Sequence, residues 1–124
     1  MLLKESRIKV SDNSDAKEVL CIHINKKKNR FSRTSLANFI KVTIKKRVSR
    51  RKNIKKRVNW CLVGATKRKI VRSSGESLRF SKPKVILVDD KKKKTMGSLV
   101  KGVLPREIVA SYATDIISRA RRLV

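Results

Sequence analysis

Residues 39–45 read Phe39-Ile40-Lys41-Val42-Thr43-Ile44-Lys45. Ile40, Val42 and Ile44 occupy every second position, with Lys41, Thr43 and Lys45 between them. Successive strand side chains point to opposite faces, so this stretch predicts a strand with one apolar and one basic face. A dense basic run follows, in which Lys46, Arg47, Arg50, Arg51, Lys52, Lys55, Lys56 and Arg57 are relieved by only two apolar residues, Val48 and Ile54. A second apolar run extends from Val58 to Thr66. Together these segments predict a hairpin that packs one face on a core and projects a basic arm at its tip.

The rest of the chain supports a β fold built around this hairpin. Ser6, Ile8 and Val10 alternate with Arg7 and Lys9, a half-buried strand, and Ser11-Asp12-Asn13-Ser14-Asp15 reads as a turn. Glu18 to Ile24 is a nearly apolar strand. Beyond the hairpin, Lys67, Arg68, Lys69 and Arg72 lead into a Ser73-Ser74-Gly75-Glu76 turn, and Leu78–Phe80 and Val85–Val88 read as strands separated by Pro83. A helical period emerges only after Pro105, where Tyr112, Ile116 and Ala120 share a face and Arg119, Arg121 and Arg122 fall near the expected helix end. Many short strands with one terminal helix predict a single mainly β domain over residues 1–124. The expected architecture is a small closed barrel with a projecting basic hairpin and a short helical region near 105–122.

Charge narrows the function. There are 35 Lys and Arg against 9 Asp and Glu, a formal net charge of +26. Such an excess opposes compaction unless a polyanion neutralises it. A membrane surface would require a basic amphipathic helix, and none is evident. Four separate basic segments (26–33, 45–57, 67–72 and 91–94) point to nucleic acid instead. Phe31, Phe39, Trp60, Phe80 and Tyr112 form no interleaved stacking platform, which favours phosphate-and-shape binding of folded RNA over single-strand stacking. Lys supplies a mobile point charge, and Arg a planar fork that grips phosphate through two hydrogen bonds.

Catalytic chemistry finds little to build on. His23 is the single histidine and reads as a packing or surface residue of a strand. There is no nucleophile elbow and no P-loop. The Asp89-Asp90 pair reads as a solvated turn. Cys21 and Cys61 lie in apolar runs and are expected to be reduced, buried thiols. Neither a metal nor a cofactor site is expected, and no small-molecule substrate or membrane partner is implied.

The opening Glu5-Ser6-Arg7-Ile8-Lys9-Val10-Ser11-Asp12-Asn13-Ser14-Asp15-Ala16, continued to Cys21-Ile22, resembles the start of the L-fourteen family of large-subunit ribosomal proteins. The likeness continues through Asn38–Lys45, Ile54–Lys56, Arg72–Phe80, Gly97–Gly102, Arg106–Ile108 and Ile116–Ser118, nearly the whole chain in order. The resemblance implies a five-stranded barrel and a structural, non-enzymatic role at the face of the large subunit that meets the small one. It implies contacts with large-subunit rRNA, with small-subunit rRNA through intersubunit bridges, and with a neighbouring L-nineteen family protein. The residues expected to meet RNA are Lys41, Lys45, Lys46, Arg47, Arg50, Arg51, Lys52, Lys55, Lys56, Arg57, Lys67, Arg68, Lys69, Arg72 and Arg79. A free RNA chaperone or nucleoid-type coat protein is the alternative that charge alone permits.

Several positions depart from the family pattern. Asp15 replaces a turn glycine, and because Asp tolerates left-handed backbone the turn is expected to survive. Arg57-Val58 replaces Gly-Asp after the paired lysines, and the proline of a Gly-Pro-Val stretch has moved to Pro105. Gly97-Ser98-Leu99 replaces Gly-Thr-Arg, and Asp115 replaces a helix lysine. A ribosome-silencing factor docks on the surface formed by these last positions in bacterial and organellar members. Gly97, Ser98, Leu99 and Asp115 are therefore expected to form a partner-facing surface stripped of its usual basic side chains, on which that docking fails or requires a compensating change. The start of the chain lacks an apolar secretory segment and an acid-free transit pattern, so synthesis in the working compartment is expected. The Lys-, Ile- and Asn-rich usage suggests a divergent, AT-biased genome. A mitochondrial ribosome is the expected location, with a plastid-type organelle or bacterial cytoplasm as alternatives.

Overall fold

The computed structural model describes residues 2–24, 33–48, 57–89, 94–111 and 114–124. In chain order the strands are β1 (Leu2–Leu3), β2 (Arg7–Val10), β3 (Ala16–Ile24), β4 (Arg33–Thr34), β5 (Phe39–Arg47), β6 (Val58–Ala65), β7 (Ile70–Val71), β8 (Ser77–Leu78), β9 (Lys84–Val88) and β10 (Val100–Leu104). A 3-10 turn (Arg106–Ser111), helix α1 (Thr114–Arg119) and β11 (Ala120–Leu123) complete the chain.

Five strands close into a barrel in the order β2-β3-β5-β6-β9. All neighbours are antiparallel except β9 and β2, which close the barrel in parallel. Closure leaves none of the five as an unpaired edge. The alternation of residues 39–45 appears as expected: Ile40 and Val42 are fully buried, Ile44 is partly buried, and the intervening lysines face outward. In the hairpin register Phe39 lies opposite Leu62 and Thr43 opposite Val58. The basic arm at residues 49–56 lies outside the described residues.

The apolar residues separate into two clusters. Inside the barrel are Ile8, Val19, Cys21, Ile24, Ile40, Val42, Cys61, Val63, Val85 and Leu87, with Leu2 and Ala16. Both cysteines are free thiols among these hydrophobes, and burial pushes the Cys61 thiol well up in pKa. A second cluster lies on the outer face of β6 and β9, where Leu62, Ile86 and Val88 pack with Val100, Leu104, Ile108 and Ile116. Strands covered on both faces read as continuous apolar runs rather than alternations. This accounts for Cys61-Leu62-Val63 and Val85-Ile86-Leu87-Val88.

The C-terminal region corrects the sequence reading. The expected helix is only six residues long, and Ala120 to Leu123 form a strand running parallel to β10. Arg121 and Arg122 therefore sit on an extended segment rather than at a helix terminus. Tyr112 lies outside the described residues, while Ile116 and Ala120 still reach the outer cluster. The expected strand at 78–80 is the short β8, paired with β7 around a turn in which Gly75 adopts a left-handed φ of 87°.

Because β9 faces both clusters, a truncation on either side should be costly. Leu87→Ala, inside the barrel, and Ile86→Ala, beneath the terminal segment, are each expected to lower stability by about 2–5 kcal/mol. Urea unfolding would measure both. A loss under about 0.5 kcal/mol at Ile86 would contradict a second tightly packed core.

Candidate nucleic-acid interface

The outward face of β5 and the ends of the β5–β6 ladder carry most of the described residues expected to bind RNA. Lys41 projects from mid-strand, with its ammonium 5.0 Å from the centre of the Trp60 ring across the ladder. That cation–π contact holds the lysine over the barrel surface. Lys45, Lys46 and Arg57 are exposed where the two strands leave the barrel toward the arm. Lys46 also lies 3.7 Å from Glu18, which in turn meets Arg7 at 3.4 Å. Arg50, Arg51, Lys52, Lys55 and Lys56 lie outside the described residues.

A second basic group lies at the far end of β6. Lys67, Arg68 and Lys69 are exposed in the loop after Ala65, and Arg79 is exposed beyond β8. Eight strand residues separate the two groups along β6, a span on the order of 25 Å. The structure thus divides the expected RNA-binding residues between opposite ends of one ladder.

Arg47 and Arg72 are engaged more deeply within the protein. Arg47 donates to Asp15 at 3.1 Å, and the Asp15 side chain is almost wholly buried. Val48 N–H also donates to the Asp15 carbonyl at 2.8 Å, so the pair joins the 11–15 turn to the root of the arm. Asp15 does not adopt left-handed backbone; among the described residues the non-glycine positions that do are Glu5 and Ala37. Asp15 is thus held by an ion pair and not in a left-handed turn. Arg72 makes two hydrogen bonds to Glu107, at 2.6 and 3.3 Å, and a third to the Val124 backbone oxygen at 2.7 Å. It also approaches Glu76 at 3.7 Å and so ties the β7–β8 turn to the terminal segment.

The expected partner surface is brought together on one side. Asn13 holds the 97–99 loop: its Nδ2 donates to Ser98 Oγ at 2.8 Å, and its Oδ1 accepts the Leu99 N–H at 3.1 Å. A Cβ at Gly97 would stand 2.5 Å from Asn13 Oδ1, so a larger residue would displace the Asn13 side chain that holds the loop. Asp115 accepts from the Thr95 N–H and hydroxyl at 3.1 and 3.2 Å and from Arg119 at 3.1 Å. Arg119 also donates to the Gly97 carbonyl at 2.9 Å. A basic side chain, Arg119, therefore lies on this face beside Leu99 and Asp115. Met96 and Leu99 are the exposed apolar residues beside it.

Sequence reasoning also missed Asp12. It is buried at the end of the barrel, accepting from Leu87 N–H at 3.0 Å and from the Ser14 backbone and hydroxyl. Burial raises its pKa despite these bonds. The Asp-x-Ser spacing, which suits an Asx turn, was the available signal. Among the described residues no cluster of His, Cys, Asp or Glu could hold a metal, and no helix is long and apolar enough to cross a membrane.

A family model of ribosomal protein L14p/L23e matches residues 1–124, the entire chain. The chain belongs to that family. It is accordingly a ribosomal protein of the large subunit, and its closed five-stranded barrel agrees with the fold that the resemblance implied. Members of this ribosomal protein family are typically structural rather than enzymatic.

The acid response of the fold follows from the Arg72–Glu107 pair. The hydrogen bond from Arg72 holds the Glu107 carboxyl below its ordinary value of 4.5. A depressed folded pKa means that the contribution is present above the unfolded value and fades as pH falls through the folded one. Glu107→Gln is expected to lower the urea midpoint near neutral pH and to lessen its further fall toward roughly pH 3. The same acid-induced loss in both proteins would contradict the assignment.

Proposed function

We propose that this L14p/L23e family member binds large-subunit rRNA through the outer face of the barrel at the surface that meets the small subunit, and there contributes to intersubunit bridges. The observation that carries the reading is the placement of exposed cations at both ends of the β5–β6 ladder, on a barrel into which the same hairpin buries Ile40, Val42, Cys61 and Val63. The wide spacing suits a folded RNA surface, whose phosphates lie in extended rows, better than a single strand threaded through a groove. Small-subunit rRNA and an L-nineteen family protein are the neighbours this position entails. The Gly97-Ser98-Leu99 loop with Asp115 is the corresponding protein-facing surface, where a ribosome-silencing factor would meet Leu99, Met96 and Arg119. The protein works in a mitochondrial ribosome, a reading supported by the Lys-, Ile- and Asn-rich composition and by the divergent turn positions.

Neutralising about ten phosphates predicts that log affinity falls with log salt at a slope of roughly −7 to −9. Changing Lys45, Lys46 and Arg57 together to Gln is expected to reduce that slope by roughly 2–3 while leaving the unfolding transition in place. Filter binding to large-subunit RNA over a salt series provides the measurement, and a nearly flat slope in the parent protein would sink the mechanism. Gradient sedimentation in high salt tests the assembly itself. The protein should remain with large subunits of mitochondrial ribosomes; recovery with bacterial cytosolic ribosomes would refute the location, and release at moderate salt would favour a free RNA chaperone or nucleoid-type coat.

A further inference from the structure

At the end where β6 leaves the barrel, three segments distant in sequence enclose a cleft of about 350 Å³. Its walls are the Ser35-Leu36-Ala37 turn, the loop from Thr66 through Arg68 and Lys69 to Ile70, and Glu107 of the 3-10 turn. Leu36, Ala37 and Ile70 supply apolar surface, while Ser35, Thr66 and Glu107 supply polar groups. Arg68 and Lys69 are exposed along it. Apolar walls with a few converging polar groups, at this volume, are the ordinary composition of a small-ligand site.

Two features make the cleft a formed recess. Ala37 has a left-handed φ of 63°, a conformation uncommon for alanine. It is held there by its N–H donating to the Val63 carbonyl at 2.9 Å, while Val63 N–H donates back to Asn38 at 3.0 Å. Glu107, also in the lining, is fixed by its two bonds from Arg72. An ionised carboxylate only accepts hydrogen bonds, so this wall selects a ligand edge that donates.

We propose that the cleft receives a single unpaired nucleobase extruded from the bound RNA, with guanine the best-fitting base. The proposal rests on the RNA-binding reading above. The base would place its flat faces against Leu36 and Ile70, and its flanking phosphates would remain at the mouth beside Arg68 and Lys69. Guanine presents neighbouring N1–H and N2–H₂ donors, either of which can reach a Glu107 lone pair that the Arg72 bonds leave open. Uracil offers one donor flanked by two carbonyl oxygens, which a carboxylate repels. Unpaired bases offer the edges and faces that a closed RNA helix hides from protein.

Three RNA duplexes of one sequence separate the possibilities: fully paired, with one bulged guanosine, and with one bulged uridine. The full-length protein is expected to bind the guanosine bulge roughly tenfold more tightly than the paired duplex, the scale of one base–side-chain contact. The uridine bulge should fall between them. Ile70→Trp, which fills the cleft, should abolish the preference while leaving paired-duplex affinity unchanged. Equal binding of all three RNAs by the parent protein would overturn the cleft proposal and leave the wider RNA-binding reading standing. Weak, salt-insensitive binding of every duplex would instead overturn that wider reading. The comparison within the parent protein does not depend on any variant folding.

Discussion

The antiparallel ladder between β6 and β9 is shared by both halves of the apolar interior. Cys61, Val63, Val85 and Leu87 face into the barrel, while Leu62, Ile86 and Val88 face the layer formed by β10, the 3-10 turn and α1. Neither cluster is large, and each depends on the same pair of strands for its wall. The β5–β6 hairpin that presents the cations is therefore braced from two sides. Burial on both faces also explains the Gly64 environment, where an added Cβ would meet Ile86 and Leu104 at 3.3 Å. The outer layer approaches β6 closely enough that a side chain at this position would force its neighbours apart.

The acids are few, and several of them carry structural weight. Among the described residues, five form ion pairs with arginine: Asp15 with Arg47, Glu18 with Arg7, Glu76 and Glu107 with Arg72, and Asp115 with Arg119. Several of these pairs join elements distant in sequence, as Arg72–Glu107 and Arg47–Asp15 do. Arginine suits the task because its fork satisfies two acceptors at once. Arg72 does so with Glu107 and the Val124 backbone, and Arg119 with Asp115 and the Gly97 carbonyl. Exposed lysines such as Lys45, Lys67 and Lys69 lie outside these staples. A chain with a net charge of +26 thus spends its few anions on cross-links and leaves the excess on the surface facing the polyanion.

Local periodicity made the barrel legible where one strand face is buried. Residues 39–45 and 6–10 alternate because each has water on one side. The terminal segment was misread for the opposite reason. Ala120-Arg121-Arg122-Leu123 carries two exposed arginines between apolar ends, a pattern too short to fix a period. Its strand form comes from the parallel pairing with Val100–Leu104, a partner some twenty residues away that no local window contains. The 11–15 cluster was legible only as a turn, because all its side chains are polar. In the structure Ser11, Asp12 and Asp15 are buried, each meeting backbone or side-chain partners brought from 32 to 90 positions away. The candidate site was legible as charge and not as geometry. Composition located the cations, but Arg47 and Arg72 turn inward to acids whose proximity only the fold creates.

The face formed by residues 97–99 and 115 is held together by one acid and one cation. In the fold Asp115 is a junction: it gathers the Thr95 backbone, the Thr95 hydroxyl and Arg119. Arg119 reaches it from one helical turn further along and extends to the Gly97 carbonyl, so the acid at 115 holds a cation on the 97–99 loop. With the loop pinned from the other side by Asn13, its shape is set by hydrogen bonds rather than by side-chain charge. The face presents a cation neutralised in part by its own acid, beside the exposed apolar side chains of Met96 and Leu99.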